Sequence, residues 1–389
     1  MTAALPDTQQ GMRRRNLARV LHTVAAHGPL SRAAVAARIG LTRAAVSTLV
    51  DELIRAGFLD ELGPERPGRV GRPGSALAVS ARGPAGLGAE IGVDHLSVCA
   101  VDLSGGVRAR VVRPLDNRER AAKPVLAELG ALVDEVRVAA EGLGLRPAGL
   151  AVAVPGLVER DRPFVVRAPN LGWTDTDLGP LLPEGLPVTV DNEANFGALA
   201  ELWTGEGAHE NFVHVSAAIG IGAAVVLGGE LLRGTRGFAG ELGHVPVRPE
   251  GPSCPCGGRG CLEQYAGQEA VWRAAGLAPG QEPVGLLAQR AAEGDKAVLK
   301  ALRGAGSALG IALSGAVNLL DPEGVVLGGS LSPLAEWLLP PLRRELTRRT
   351  ATANRPVTVS RLGREGPLLG AAHSVVRAVL DDPVALAAG

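Results

Sequence analysis

The sequence predicts an α/β protein in which a body of two lobes, with a cleft between them, follows a small winged helix-turn-helix head. Three observations predict it. Residues 1 to 82 hold three short helical patterns with glycine stops, and from about residue 83 strands alternate with helices in two rounds, each opened by a glycine-turned strand unit. The second round contains a knuckle of one histidine and three cysteines, His244, Cys254, Cys256 and Cys261.

In the head, the first dozen residues lack periodicity and read as a disordered tip. From Arg13, the residues Leu17, Val20, Leu21 and Val24 recur at helical spacing until Gly28-Pro29 ends the pattern. A second helix starts at the N-cap Ser31, with Leu30 and Val35 as a hydrophobic staple, and stops at Gly40. The third repeats the device with Thr42, Leu41 and Val46, and ends at Gly57. Its N-terminal end presents Arg43, Ala44, Ser47 and Thr48 to a DNA major groove. Strands at Phe58-Leu59 and Ala76 to Val79 flank GPERPGRVGRPGS, whose Arg69 and Arg72 suit a narrow A·T-rich minor groove or, alternatively, plain phosphate contact. Charge agrees. Residues 1 to 82 carry 12 Arg and no Lys against 6 acids, a net +6, whereas the remainder has 28 basic and 34 acidic residues, a net −6. A basic head on an acidic body points to nucleic acid as the partner of the head alone.

The body opens with three strands over residues 87 to 114, turned at Ser104-Gly105-Gly106, and a helix over about 119 to 142. Strand Leu150 to Val154 ends in Pro155-Gly156, and strand Val188 to Asp191 leads into a helix over Asn195 to Leu202. A second strand-turn-strand unit occupies 212 to 232. Helical patterns follow at 262 to 275, 283 to 293 and 295 to 320, then strand Val325 to Leu327, a helix, a short strand near 357 to 360 and a last helix from about 367. These boundaries predict a first lobe of residues 83 to 193, joined by the last helix (about 367 to 385), and a second lobe of residues 194 to 366. The longest nearly apolar run, 212 to 229, is interrupted by His214, Ser216 and four glycines, so no membrane span is predicted and a cytoplasmic protein is expected.

The knuckle reads His-x9-Cys-x-Cys-x4-Cys. One imidazole and three thiolates close a tetrahedral set around Zn²⁺ with no position for a catalytic water, so a structural zinc is expected. Disulfides are the bland alternative, but Cys254 and Cys256 are too close in sequence for easy bridge geometry.

With GELGH (240 to 244) before the knuckle, GCLE (260 to 263) closing it and DNEAN at 191 to 195, the chain resembles the ROK family of repressors and sugar kinases over essentially its whole length. That resemblance implies an actin-like, ribonuclease-H-like body, and the winged head implies the repressor branch: a sugar-responsive regulator binding double-stranded operator DNA. It further implies sugar contacts from Asn170, Asn192, Glu193, Glu241, His244 and Glu263, for a sugar or sugar phosphate between the lobes. His244 would use one ring nitrogen for zinc and the other for a hydroxyl. Three departures from the kinase pattern imply lost catalysis. The phosphate loop reads Glu90-Ile91-Gly92-Val93-Asp94-His95, without the family's leading Asp, second Gly and Thr. The opposing loop, Ala218 to Ala224, lacks its Thr and three glycines. The general base is Glu193 where kinases carry Asp, and a carboxylate displaced by ~1 Å can cost ~10²-fold in rate. Helix-turn-helix proteins read paired half-sites, so a homodimer is expected, with pairing of two dimers into a tetramer as the alternative.

Overall fold

The structure is a computed structural model and describes residues 8–64, 75–205, 209–217, 219–278, 284–351 and 355–385. The head comprises helices α1 (Gln9–His27), α2 (Arg32–Ile39) and α3 (Arg43–Arg55) with strands β1 (Leu30–Ser31), β2 (Leu59–Pro64) and β3 (Ser75–Val79), ordered β1-β3-β2. Helix α1 begins four residues before the predicted Arg13, because the Thr8 side chain accepts from the Gly11 amide and caps it. Ser31 and Thr42 cap the next two helices in the same way, accepting from Ala34 and Ala45. The chain bends by 114° between α2 and α3, within the helix-turn-helix range. Strand β1 was not expected. It is two residues long, too short for periodicity to register, and pairs Leu30 and Ser31 with Leu77 and Ala76. The wing tip with Arg69 and Arg72 lies outside the described residues.

The body holds two five-stranded sheets. The first uses β4 (Pro84–Ile91), β5 (His95–Asp102), β6 (Val107–Pro114), β7 (Arg146–Val154) and β11 (Val188–Asn192) in the order β11-β7-β4-β5-β6. Strands β8 (Leu157–Val158), β9 (Phe164–Ala168) and β10 (Trp173–Asp177) form a small separate sheet that the sequence did not signal. The second large sheet uses β12 (Phe212–Ala217), β13 (Ile221–Leu227), β14 (Glu230–Leu231), β15 (Gly324–Gly329) and β16 (Val357–Val359) in the order β14-β13-β12-β15-β16. Both sheets share one plan: an antiparallel meander of three strands extended by two parallel strands. This duplication is the two-lobe body the resemblance implies.

Helices α4 (Ala122–Gly142), α5 (Glu193–Thr204), α6 (Glu263–Ala266), α7 (Gln268–Ala274), α8 (Val284–Ala292), α9 (Lys296–Leu320), α10 (Ala335–Arg349) and α11 (Gly366–Asp381) cover the sheets. The single helix expected over 262 to 275 is broken at Gly267, which leaves the helical region with φ −62° and ψ 153°. Among the described residues, α9 is long and apolar enough to cross a membrane, but it is the core helix of the second lobe, with Leu302, Leu309, Leu313 and Val317 buried there.

Two helices position everything that follows. Helix α11 lies on β4, β5 and β7 of the first lobe and packs closely on α5, where a Cβ on Gly370 would stand 1.8 Å from the Phe196 carbonyl oxygen. Only glycine permits that approach. The other end of α11 meets the head. Leu17, Val20, Leu21 and Val24 of α1 share one buried cluster with Val376, Val379 and Leu380 of α11 and Val101 and Leu103 of β5 and its turn. Arg14 pairs with Asp382, His22 Nε2 lies 2.7 Å from Asp381, and Arg146 donates to the Ala56 carbonyl at 2.6 Å. Head and body are therefore packed together, not strung on a linker.

Candidate functional site

The knuckle follows β14 in the second lobe. Every pair among His244 Nδ1 or Nε2 and the three sulfurs lies within 4.8 Å, close enough for one ion to bind all four residues. Cys256 and Cys261 sulfurs are 3.7 Å apart, and Nδ1 of His244 is 3.7 Å from the Cys254 sulfur. The imidazole thus turns Nδ1 toward the thiols. Its Nε2 points the other way, 3.8 Å from a Glu241 oxygen.

On that far side lies a cavity of about 260 Å³. All six residues expected to contact a sugar line it: Asn170, Asn192, Glu193, Glu241, His244 and Glu263. Asn192 is the N-cap of α5, where its Oδ1 accepts from the Ala194 amide at 2.7 Å and its Nδ2 donates to the Gly156 carbonyl at 2.6 Å. One amide hydrogen and one lone pair remain to face the cavity. Glu263 opens α6, and its Oε2 accepts from the Ile221 amide at 3.3 Å. A Cβ on Gly220 would sit 2.3 Å from that oxygen, so glycine at this turn is what lets the carboxylate enter.

In DNEAN, two of the three residues not expected at the site, Asp191 and Asn195, hold the turn. Buried Asp191 accepts from the Asn192 amide and from Asn195 Nδ2, at 2.7 and 2.8 Å, and pairs with Arg233 of the second lobe. Sequence reasoning also missed Arg167 of β9, which lines the cavity and donates from Nη2 to the Pro255 carbonyl at 2.5 Å, tying the small sheet to the knuckle. A lone arginine in an unrecognised strand gave no signal.

A larger cavity of about 610 Å³ adjoins the first and shares Pro155, Asn170 and Glu193 with it. Glu90, Gly92, Val93, Asp94 and His95, where the resemblance implies an altered phosphate loop, line it. Here His95 Nδ1 lies 2.7 Å from Asp94 and Nε2 lies 3.6 Å from buried Glu90, while Arg364 donates to both Asp94 oxygens at 2.8 and 3.1 Å. Burial opposes the charge on His95, but hydrogen bonds to Asp94 and Glu90 outweigh it and raise the imidazole to about 9. The hydrogen bond from His95, against burial, and then Arg364 hold Asp94 well below the usual carboxylate range. Burial and then the Glu90 charge push Glu193 up to about 7. Ala218 of the opposing loop lies outside the described residues.

On the head, Arg43, Ala44 and Thr48 are exposed along the start of α3, Ser47 is half-buried, and Ala45, not expected there, is exposed beside them.

A ROK family profile matches residues 86–378 and a MarR family profile matches residues 14–70. The xylose repressor of Bacillus subtilis (strain 168) is 30% identical over 370 residues, covering 93% of this chain and 95% of its own. Among solved structures, a ROK family transcriptional regulator, a homolog of the E. coli MLC protein, superposes with a TM-score of 0.82 at 26% identity, covering 97% of this chain and 100% of its own. A ROK family glucokinase from Streptomyces griseus, in complex with glucose and AMPPNP, matches with a TM-score of 0.66 at 26% identity over 75% of this chain and 98% of its own.

Proposed function

The chain belongs to the ROK family, and from that premise we propose that it is a sugar-responsive, DNA-binding transcriptional repressor of carbohydrate-utilisation genes, acting in the cytoplasm as a homodimer. The observation that carries this reading is that one cavity gathers six polar residues while the helix that bears one of them and is capped by another packs on the helix that meets the head. The regulator and repressor relatives match head and body together, whereas the glucokinase covers three quarters of the chain.

Sugar hydroxyls both donate and accept, and the cavity offers both kinds of partner. Glu241 and Glu263 accept from hydroxyls, and Asn170 and Asn192 can do either. Zinc suits the knuckle: thiolates at about 2.3 Å from a tetrahedral zinc stand about 3.8 Å from one another, close to the 3.7 Å between Cys256 and Cys261. When bound, zinc supplies a fixed cross-link among His244, Cys254, Cys256 and Cys261. With Nδ1 of His244 engaged there, its Nε2 is left as a donor toward the cavity. Arg167 closes the rim from the first lobe through the Pro255 carbonyl.

The reading excludes catalysis on the charged groups of the larger cavity. His95, Asp94, Glu90 and Arg364 satisfy one another where a nucleotide phosphate would need free donors.

Residues 1–82 form the DNA-binding unit, with Arg43, Ala44, Ser47 and Thr48 reading the major groove and Arg69 and Arg72 contacting the minor groove or the phosphates. Residues 83–193 with the last helix, and 194–366, form the lobes. A sugar that prefers one lobe arrangement moves α5, which moves α11 through Gly370, which moves α1. Release of DNA is limited by that preference.

The test is a gel shift on the DNA upstream of the protein's own gene with a panel of sugars. At least one sugar is expected to release the complex. An operator bound tightly that no sugar releases would remove the effector from the account, and turnover of ATP with any sugar would restore the kinase. Arg43→Ala is expected to weaken operator binding more than random-sequence binding.

A further inference from the structure

We infer that Arg233 is a positioning residue for ligand binding: by gripping Asp191 it holds two walls of the small cavity in register without touching the ligand itself. This rests on the sugar-responsive reading above and adds a residue to it. Neither Arg233 nor Asp191 lines the small cavity. They line a different one, of about 520 Å³, together with Phe196 of α5 and Val375 of α11.

Each partner of the pair fixes one wall. On the first-lobe side, Asp191 Oδ1 accepts from the Asn192 amide and from Asn195 Nδ2, at 2.7 and 2.8 Å. Those bonds hold the turn that brings Asn192 and Glu193 to the small cavity, and they use one carboxylate oxygen. The other, Oδ2, takes Arg233 Nη1. On the second-lobe side, Arg233 begins the loop that delivers Glu241 eight positions later. Its carbonyl accepts from the Ala239 amide at 3.2 Å, and the Arg236 carbonyl accepts from the Arg160 amide of the first lobe at 2.9 Å. A Cβ on Gly240 would stand 2.4 Å from the Ala223 carbonyl oxygen, so the far end of the loop is pressed onto β13 just before Glu241. With the loop tied at both ends, a shift of Arg233 is passed on to Glu241 and His244.

The side chain of Asp191 is 8% exposed, so its charge requires a partner. Among the described residues the other cation on this cavity is Arg162, which donates to Glu159 at 3.1 Å and lies over the Phe164 ring. Arg233 therefore has no stand-in. Its planar guanidinium also fixes a direction, which a lysine ammonium would not.

The experiment is a double-mutant cycle on the full zinc-loaded chain with Asp191→Asn and Arg233→Gln. It reads the concentration of the releasing sugar that frees labelled operator DNA, beside the operator affinity without sugar. Asp191→Asn keeps an oxygen for Asn192 and Asn195 and removes only the charge that Arg233 grips. Each single variant is expected to need about tenfold more sugar, and the double variant no more than either single, because one pair can be lost only once. Operator affinity without sugar is expected to match wild type. A pair serving stability alone would lower the melting temperature and leave the release curve in place. An unmoved release curve in either single variant, or shifts that add in the double, overturns the inference and leaves the sugar-responsive reading standing. Loss of sugar-free operator binding in both singles overturns it as well, since the pair would then hold up the whole fold. If no sugar frees the wild type, that reading fails and this inference falls with it.

Discussion

The two connected cavities of the cleft contain the same kinds of side chain and use them in opposite ways. In the larger one, Glu90, Asp94, His95 and Arg364 are spent on one another. In the smaller, Asn192 and Glu263 each make the one or two bonds that fix their direction and keep capacity facing empty space. The difference teaches that a binding site is marked less by its polar residues than by how much of their hydrogen bonding remains unspent. By that measure the smaller cavity keeps capacity for a ligand and the charged groups of the larger one are satisfied among themselves.

The contrast breaks most severely at the knuckle. Chelating the metal, or Cys256→Ser, is expected to abolish sugar binding by calorimetry while operator binding by the head persists. Coordination free energy in such sites is of order 10 kcal/mol, and without it His244 and the neighbouring Glu241 lose the anchor that directs them. A sugar response that survived chelation would reduce the knuckle to scaffold.

A smaller effect tests transmission. Gly370→Val puts side-chain atoms where the Phe196 carbonyl already stands, forcing α5 and α11 apart. Sugar binding is expected to persist while release of operator DNA fails. Loss of both together would mean that the lobes had simply come undone.

On the phosphate side the expected effects are smallest. His95→Gln should leave sugar affinity nearly unchanged and alter only stability. The His95 pKa is raised from 6.5 to about 9 in the fold, so its pairing stabilises the protein fully below about pH 6.5 and loses that effect as pH rises through 9. Melting temperatures should therefore separate wild type from variant at pH 6 and converge above pH 9. A gap that persisted at pH 10 would show that packing of the ring, not its charge, is what matters.

Much of this was legible in the sequence because the signals are local. Caps at Ser31 and Thr42 fix two helices by bonds spanning three residues, and the knuckle's ligands lie within eighteen positions of one another. Asn170, Asn192 and Glu263 were found through motif resemblance and not through spacing, since they meet only when two lobes close. What was missed is non-local or short. Arg167 reaches the knuckle from a five-residue strand in a sheet of no strong alternation, and Asp191 acts through Arg233, forty-two residues away. The early start of α1 at Gln9 hid because its first turn is polar and its cap, Thr8, precedes no apolar run. The packing of α1 on α11 joins residues more than 350 positions apart, which no periodicity can register.

The account's central claim is that sugar held by the small cavity governs DNA binding, and it is tested most directly by paired titrations of a labelled operator complex, wild type against Glu241→Gln, with the sugar that releases the wild type. Losing a charged acceptor is worth about 1.5–3 kcal/mol, so the release curve of the variant should shift to roughly ten- to a hundredfold more sugar and reach the same plateau, with unchanged affinity for DNA in the absence of sugar. Superimposable curves would contradict the claim and move the effector to another site.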